Sequence, residues 1–525
     1  MRATLAVSAG TYANGISGVS LAMLATTYYL FVFIEKLGPA FLPMLSDTFV
    51  PQPGNFLSRG MLSLTAASLT VLGSIPYFSS YQPDECIPRT ILFAMSAIAA
   101  TNLGVVGAVC ENAHAASCMG NTQVHDTTAM TFFVLYDVYM VTLLIRDLRR
   151  ARRPSTAVIL TTTCALSLLS KVRYLPPSAV GALLRPASTA ASSSAAASTL
   201  AAAADAEARL AALLDPTADP GRVVLAMCEY LDTCSIMIFI SCYASDIGRD
   251  FMYGFLRKSC DEERSIMPCD ASATSTMVPA KLPTAPAAIV HLSVTLACLA
   301  QRLLSFGLFT IGFTFSIALL DGTVHPLEEW PMISDLWVAK PSNMISRYAV
   351  CLGGWLLALV QIGHFAAVAH SRRHSPRLNL LGCGLGVISA VGMVAVGACN
   401  ESENLNVHYA GASIFFAGFI MWAILDLVTS APYWIGCRRA LAVVSVALLV
   451  GAKLAQLSHH LKHGSLARAG DDLVLLNRRH PKGMASMEWL ASVSLMSYFY
   501  LAYTSLPETH STCLAFYSRC PQPAQ

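Results

Sequence analysis

Long apolar runs separated by shorter polar breaks recur along the whole chain. Each run has about 20 residues, which is the length that a helix needs to cross the hydrocarbon of a bilayer. The runs are too long and too continuous for the strands of a membrane barrel, so we predict about twelve transmembrane helices. Six lie near 17–34, 61–79, 91–110, 127–145, 155–171 and 223–245, and six near 300–320, 347–369, 379–399, 409–428, 440–457 and 487–506.

Two longer polar stretches divide this pattern. An Ala/Ser-rich stretch at 182–216 interrupts the first set of helices, and a charged and Pro-rich stretch at 247–284 separates the two sets. We therefore predict an all-α polytopic membrane protein with two six-helix repeats. Its parts are a first repeat at 1–246, a linker at 247–284, a second repeat at 285–506 and a tail at 507–525.

The two halves share a sequence motif. Residues 43–59 align without gaps with residues 331–347, and nine of the seventeen positions are identical, against about one expected from average composition. Further matches follow in the same order: Gly107-Ala108 with Gly397-Ala398, Glu111 with Glu401, Val124-His125 with Val407-His408, and Glu229-Tyr230 with Glu488-Trp489. This order predicts a tandem duplication, with the first half as a diverged copy. An even number of helices in each half makes the repeats parallel in topology.

Basic residues in the short loops predict the orientation. Arginines concentrate after the second and fourth helices of each half, at Arg89, Arg146, Arg149, Arg150, Arg152, Arg153, Arg372, Arg373, Arg377, Arg438 and Arg439. By the positive-inside rule these loops are cytosolic, as are both termini and the linker. The Ser-Asp loops of the shared motif and the stretch 182–216 then face the lumen. We read the first run as an uncleaved helix rather than a signal peptide.

Composition agrees with a membrane protein and excludes other classes. Hydrophobic residues make up 55% of the chain and charged residues 12%, whereas soluble domains have about 25% charged residues. A water-soluble enzyme is therefore excluded. The net charge of +3 offers no basis for binding nucleic acid.

Polar residues that recur in both halves are the candidate site residues, and all of them are predicted at the lumenal side. In the second half they are Ser334, Asp335, Arg347, Glu401, His408, Lys453, His463 and Glu488, and in the first half Ser46, Asp47, Arg59, Glu111, His125, Lys171 and Glu229. The Ser-Asp loops fit either a turn that caps the next helix or a site for a polar headgroup, with the arginines as anion partners. No metal and no cofactor are expected.

Charges inside the predicted spans are expected to pair. An isolated charge in hydrocarbon costs several kcal/mol, so we predict that Lys453 lies near Glu488 and Lys171 near Glu229. Each pair is either a structural ion pair or a catalytic or proton-relay pair. A histidine beside a carboxylate, as in the loops with His125 and His408, is a combination used in acid–base chemistry.

The second half resembles the DRAM-like superfamily, which includes damage-regulated autophagy modulators, FGF-receptor-activating proteins and post-GPI-attachment factors. The residues that carry the resemblance are Pro331-Met332-Ile333-Ser334-Asp335, His408, Leu461-Lys462-His463-Gly464 and Glu488-Trp489. The first half departs from this pattern, with Leu45 in place of Ile and Tyr230 in place of Trp. The family provides no catalytic residue that can be transferred to this chain.

This resemblance implies a multi-pass protein that handles membrane lipids. Its leading form is GPI-anchor lipid remodelling or maturation in the endoplasmic reticulum or Golgi, with membrane lipids, including GPI-anchored precursors, as partners. One alternative is a non-enzymatic modulator or scaffold of autophagic or endolysosomal membranes. A second alternative is a secondary transporter, because twelve spans in two parallel halves also suit that class.

Overall fold

The chain forms two compact units. The computed structural model describes residues 2–36, 43–78, 86–109, 121–147, 151, 153–171, 220–257, 288–327, 330–369, 375–429, 436–463, 483–507 and 511–519. We call Gly10–Arg249 the N-terminal unit, and Asp250–Gln525 together with Met1–Ala9 the C-terminal unit. The predicted lumenal stretch 182–216 and the candidate Glu111 lie outside the described residues.

The N-terminal unit is a bundle of helices. They are α1 (Ala9–Tyr29), which continues as a π-helical turn (Leu30–Ile34), α2 (Leu45–Thr48), α3 (Gly54–Leu72), α4 (Ser74–Phe78), α5 (Cys86–Ala108), α6 (Thr122–Asp147), α7 (Pro154–Lys171) and α8 (Pro220–Asp246). Helix α5 packs between α3 and α6, and α7 packs on α8. The short α2 carries the Ser-Asp motif of the first half.

The C-terminal unit repeats this plan. Its helices are α9 (Leu296–Leu320), α10 (Ser342–Val368), α11 (Pro376–Ala398), α12 (Leu405–Thr429), α13 (Cys437–His463) and α14 (Met484–Ser505), and a 3-10 turn at Asp335–Trp337 carries its Ser-Asp motif. Helix α11 packs between α10 and α12, while α9 lies against α10 and α14.

Every apolar run predicted from the sequence coincides with a long helix. Of these helices, nine in the described part of the chain are long and apolar enough to cross a membrane. The other three, α7, α8 and α14, contain more polar residues. The chain is thus a polytopic, mainly α-helical membrane protein.

A four-stranded antiparallel sheet was not predicted. Its strands are β1 (Arg2–Ser8), β2 (Phe251–Arg257), β3 (Ala288–Thr295) and β4 (Thr512–Arg519), in the order β1-β2-β4-β3. Tyr253 of β2 lies opposite Val7 on one side and Phe516 on the other. Parts of the predicted linker and tail are therefore strands, because these short segments pair with one another across long separations in sequence.

Small residues let the helices of the C-terminal unit approach closely. A Cβ at Gly354 of α10 would lie 2.9 Å from the carbonyl oxygen of Ala390 on α11, and one at Gly392 would lie 2.8 Å from that of Gly411 on α12. Such small-residue contacts are typical of helix packing in membranes. Around them lies an aromatic core in which Trp422 stacks on Phe499, with ring centroids 5.2 Å apart.

Candidate functional site

The Ser-Asp motif of the C-terminal unit forms a hydrogen-bonded turn. The Asp335 carboxylate accepts a hydrogen bond from the backbone N–H of Met332 at 2.7 Å. Within the turn, the N–H groups of Trp337 and Val338 donate to the carbonyl oxygens of Ser334 and Asp335 at 3.0 and 3.3 Å. Asp335 therefore stabilises the turn itself. The expectation that it caps the next helix is corrected, because its partner Met332 precedes it and the N-cap of α10, Pro341, has no side-chain capping bond.

The N-terminal unit builds its turn with the same backbone bonds. Phe49 N–H donates to the Ser46 carbonyl at 3.1 Å, and Val50 N–H donates to the Asp47 carbonyl at 3.2 Å. The first N–H of this turn, from Leu45, is accepted by the Glu229 carboxylate of α8 at 2.8 Å. Glu229 thus ties the turn to the helix that follows much later in the chain.

Each turn leads into its helix through matching bonds. A cis peptide bond precedes Pro53 in one half and Pro341 in the other. Next, the Ser58 hydroxyl donates to the carbonyl oxygen of Asn55 at 3.0 Å, and Ser346 donates to that of Asn343 at 3.1 Å. The segments aligned by sequence thus share their local geometry as well.

Both candidate histidines are fixed in the same way. The Nδ1 atom of His408 lies 2.8 Å from the carbonyl oxygen of Cys399, and that of His125 lies 2.7 Å from the carbonyl oxygen of Val109. A carbonyl oxygen only accepts hydrogen bonds, so Nδ1 carries the hydrogen and the neutral ring keeps its lone pair on Nε2. In its neutral form the histidine of each unit therefore presents an acceptor at Nε2.

Arg347 is held in a buried ion pair. Its guanidinium lies 2.5 Å from the Glu403 carboxylate, and both side chains are 1% exposed. The other carboxylate oxygen of Glu403 accepts from the backbone N–H of Asn400 at 3.3 Å. The expectation that Arg347 serves as an anion partner is therefore corrected, because a carboxylate of the protein already neutralises it. Arg59 is also 1% exposed.

Lys453 lies beside Glu488 but does not form a close ion pair with it. The lysine interacts electrostatically with Glu488. Its Nζ atom lies 3.4 Å from the centre of the Phe416 ring and donates to the Gln456 side chain at 2.8 Å. The ammonium group of Lys453 therefore interacts with the Gln456 amide oxygen and the Phe416 ring as well as with the Glu488 carboxylate.

Lys171 has different partners from those predicted. It pairs with Asp232 of α8 and with Asp137 of α6, the latter at 3.3 Å, and not with Glu229. Asp232 lies about one turn further along α8 than Glu229, and that turn faces α7. The buried Ser167 hydroxyl contacts both aspartates. We call Lys171, Asp137, Asp232 and Ser167 the charged cluster of the N-terminal unit.

A cavity of about 170 Å³ gathers three of the candidate residues in the C-terminal unit. We call it the C-terminal cavity. Ser334, His408 and Glu488 line its polar end, and its remaining lining is almost entirely apolar, reaching Tyr503 on α14. Glu488 and Tyr503 are separated by about 22 Å along the helix, at 1.5 Å per residue. The cavity is therefore elongated, with its polar groups at one end.

The N-terminal unit has a smaller cavity in the matching place. This N-terminal cavity has a volume of about 70 Å³ and includes Ser46, His125 and Glu229 in its lining. Every lining residue outside α1 corresponds to a lining residue of the C-terminal cavity, as Phe132 and Phe133 correspond to Phe415 and Phe416. The recurring Ser, His and Glu thus surround a cavity in both units.

The other candidates have separate positions. Asp335, Arg347 and Lys453 do not line the cavity, and Glu401 is half-buried near Tyr409. His463 ends α13, and its side chain lies outside the described residues. Within the described ranges, no group of three or more His, Cys, Asp and Glu side chains is placed to hold a metal ion.

Comparison with known proteins finds one family match, in the C-terminal half. Residues 295–509 match the family model described as the Frag1/DRAM/Sfk1/Cwh43P N-terminal domain. No curated protein and no solved structure matches the chain. The matched residues include the whole lining of the C-terminal cavity.

Proposed function

We propose that this multi-pass membrane protein, a member of the Frag1/DRAM/Sfk1/Cwh43P family through residues 295–509, binds a membrane lipid in its C-terminal cavity and acts in membrane lipid handling. The observation that carries the proposal is the cavity itself, which is long, mainly apolar and lined by polar groups at one end. This distribution of polar and apolar lining matches an amphiphile, whose chains leave water while its headgroup keeps hydrogen bonds.

The polar end favours headgroups that donate hydrogen bonds. Glu488 contributes a carboxylate, His408 contributes Nε2, and Ser334 contributes a hydroxyl, so acceptors predominate. Two cations would attract a phosphate, and both have partners in the protein. Arg347 is paired with Glu403, and Lys453 interacts with Glu488 and Phe416 and donates to Gln456. Hydroxyl and amine groups are therefore better partners for this end than a bare phosphate.

We propose GPI-anchored precursors as the client, because their headgroups carry sugar and inositol hydroxyls and amines. The role would be to hold the anchor's lipid during remodelling or maturation, by binding rather than by covalent chemistry. In this proposal the polar end faces the lumen of the endoplasmic reticulum or Golgi, where the headgroups of such anchors lie, and both termini are cytosolic.

Filling the C-terminal cavity should remove the bound lipid. Gly307 of α9 lines the cavity, and the nearest atom to a Cβ at this position would be the flexible end of Met496 at 4.0 Å. We expect Gly307→Leu to lower the amount of lipid that copurifies with the detergent-solubilised protein by about tenfold, or ~1.4 kcal/mol of binding free energy. Lipids extracted from equal amounts of protein would be measured by mass spectrometry.

Gly312→Leu is the matched control. Gly312 lies on the same helix, is exposed and has nothing within 4 Å of a Cβ, so its leucine faces the bilayer. Equal lipid loss in both variants, or none in either, contradicts binding in the cavity. The client is tested separately in cells that lack this protein. If the lipid composition of their GPI-anchored proteins is unchanged, GPI-anchored precursors are not the client. Lipid binding in the cavity is then tested by the copurification experiment with Gly307→Leu alone.

A further inference from the structure

We propose that the protein binds one long-chain lipid, in the C-terminal cavity, and not a second one in the N-terminal cavity. A hydrogen bond between Ser20 and Thr65 closes the N-terminal cavity. At the two matching positions the C-terminal cavity has glycines, Gly307 and Gly353. This inference rests on the proposed lipid binding. It makes Gly307 and Gly353 the residues that determine how deeply a chain enters the C-terminal cavity.

The positions that differ can be matched between the units. Helix α1 begins at Ala9 directly after β1, and α9 begins at Leu296 directly after β3, so counting along each helix places Ser20 opposite Gly307. The ungapped alignment of the Ser-Asp motif, continued into α3 and α10, places Thr65 opposite Gly353. All four residues line a cavity.

The lining pattern of the first helices supports this match. The residues of α1 in the N-terminal cavity are Ser20, Met23 and Leu24, and Gly307, Thr310 and Ile311 of α9 have the same spacing in the C-terminal cavity. This spacing of three and four residues marks a single helix face.

Ser20 and Thr65 form a fully buried bridge between α1 and α3. Their hydroxyl oxygens lie 2.8 Å apart, and the side chains are 3% and 1% exposed. Thr65 donates its hydrogen to the carbonyl oxygen of Met61 at 2.9 Å, so Ser20 is the donor in the bridge. Both hydroxyls are satisfied, and a lipid chain passing between them would leave polar atoms without partners in an apolar space.

The C-terminal cavity continues where the N-terminal one stops. Beyond Gly307 and Gly353 it reaches Leu357, Val360 and Tyr503. In the N-terminal unit the positions of Leu357 and Val360 are taken by Leu69 and Leu72, which are buried and do not line its cavity. The N-terminal cavity therefore has the polar end but is too short to hold a long acyl chain.

Exchanging the two pairs of residues tests this inference. The probe is a lipid with a photoreactive diazirine at the end of one acyl chain, added to the full-length protein in detergent micelles. Labelled peptides are then mapped by mass spectrometry. We expect the wild-type chain to be labelled in α14, near Phe499 and Tyr503, and not in α3.

The reciprocal variants should move the label in opposite directions. Gly307→Ser with Gly353→Thr is expected to lower labelling of α14 about tenfold, whereas Ser20→Gly with Thr65→Gly is expected to add label in α3. Gly312→Ser and Thr70→Gly are the controls, because they make the same types of change on α9 and α3 at positions outside both cavities. Elution as a single symmetrical peak in size-exclusion chromatography confirms that each variant is folded.

The outcomes separate the two proposals. No labelling of either unit in the wild-type chain overturns lipid binding itself. Labelling of both units in the wild-type chain, or no gain of label in α3 after Ser20→Gly with Thr65→Gly, overturns only the inference that the Ser20–Thr65 bridge blocks the N-terminal cavity.

Discussion

Replacing Glu403 by alanine is expected to destabilise the C-terminal unit by about 3–5 kcal/mol, because it leaves the Arg347 guanidinium as a buried charge without its carboxylate. The ion pair is 2.5 Å long, and both side chains are 1% exposed. Since water does not reach it, neither salt nor solvent compensates for the lost partner. Thermal unfolding of the purified protein in detergent, followed by tryptophan fluorescence, would show a large fall in Tm.

Glu401→Ala is the matched control for Glu403→Ala. Glu401 lies two residues earlier in the same loop and is half-buried, so its loss should change Tm much less. The double substitution Arg347→Met with Glu403→Leu should recover a large part of the lost stability, since it removes both charges together. If Glu401→Ala and Glu403→Ala lower Tm equally, the Arg347–Glu403 ion pair contributes no more to stability than the contacts of the half-buried Glu401.

Replacing Lys171 by methionine should have a comparable effect on the N-terminal unit. The substitution leaves Asp137 and Asp232, both buried, facing each other across Ser167 without a cation. Two like charges in this setting repel each other. We expect a loss of about 3–5 kcal/mol, seen as a lower Tm and poor recovery of folded protein from membranes. Lys36→Met, at an exposed position, is the control.

The C-terminal unit indicates how this loss can be reversed. At the positions of Asp137, Ser167 and Asp232 it has Ile420, Leu449 and Ala491, so similar helix packing exists there without the two aspartates. Adding Asp137→Ile, Ser167→Leu and Asp232→Ala to Lys171→Met is therefore expected to restore most of the stability. If the fourfold variant is no more stable than Lys171→Met alone, the cost comes from lost packing of the lysine chain and not from unpaired carboxylates.

The sequence predicted most of the fold because its signal is long and local. Runs of about 20 apolar residues leave a helix as the only way to satisfy the backbone in lipid. Ser334, His408 and Glu488 were found because they recur at matching places in both halves, and the structure brings them to one cavity. Similarity between the two halves thus pointed to residues that line one cavity, while their role in a site stays a prediction.

The remaining features depend on contacts between distant residues. The charges of Asp137 and Asp232 are visible in the sequence, but the pairing of Lys171 with Asp232 instead of Glu229 depends on which turn of α8 lies level with the lysine. Likewise, Arg347 was expected to attract an anion until the loop before α12 placed Glu403 against it. The sheet was missed because each strand has only seven or eight residues and finds its partner across the chain.

The four-stranded sheet requires that the protein cross the membrane an even number of times between one strand and the next. Open sheet edges are not tolerated in hydrocarbon, so all four strands lie at one face of the bilayer. The chain between β3 and β4 must then cross an even number of times, yet only five of its described helices are clearly apolar enough. We therefore expect the polar α14, which carries Glu488, to be the sixth crossing. By the same rule, α7 and α8 either both cross or both remain outside.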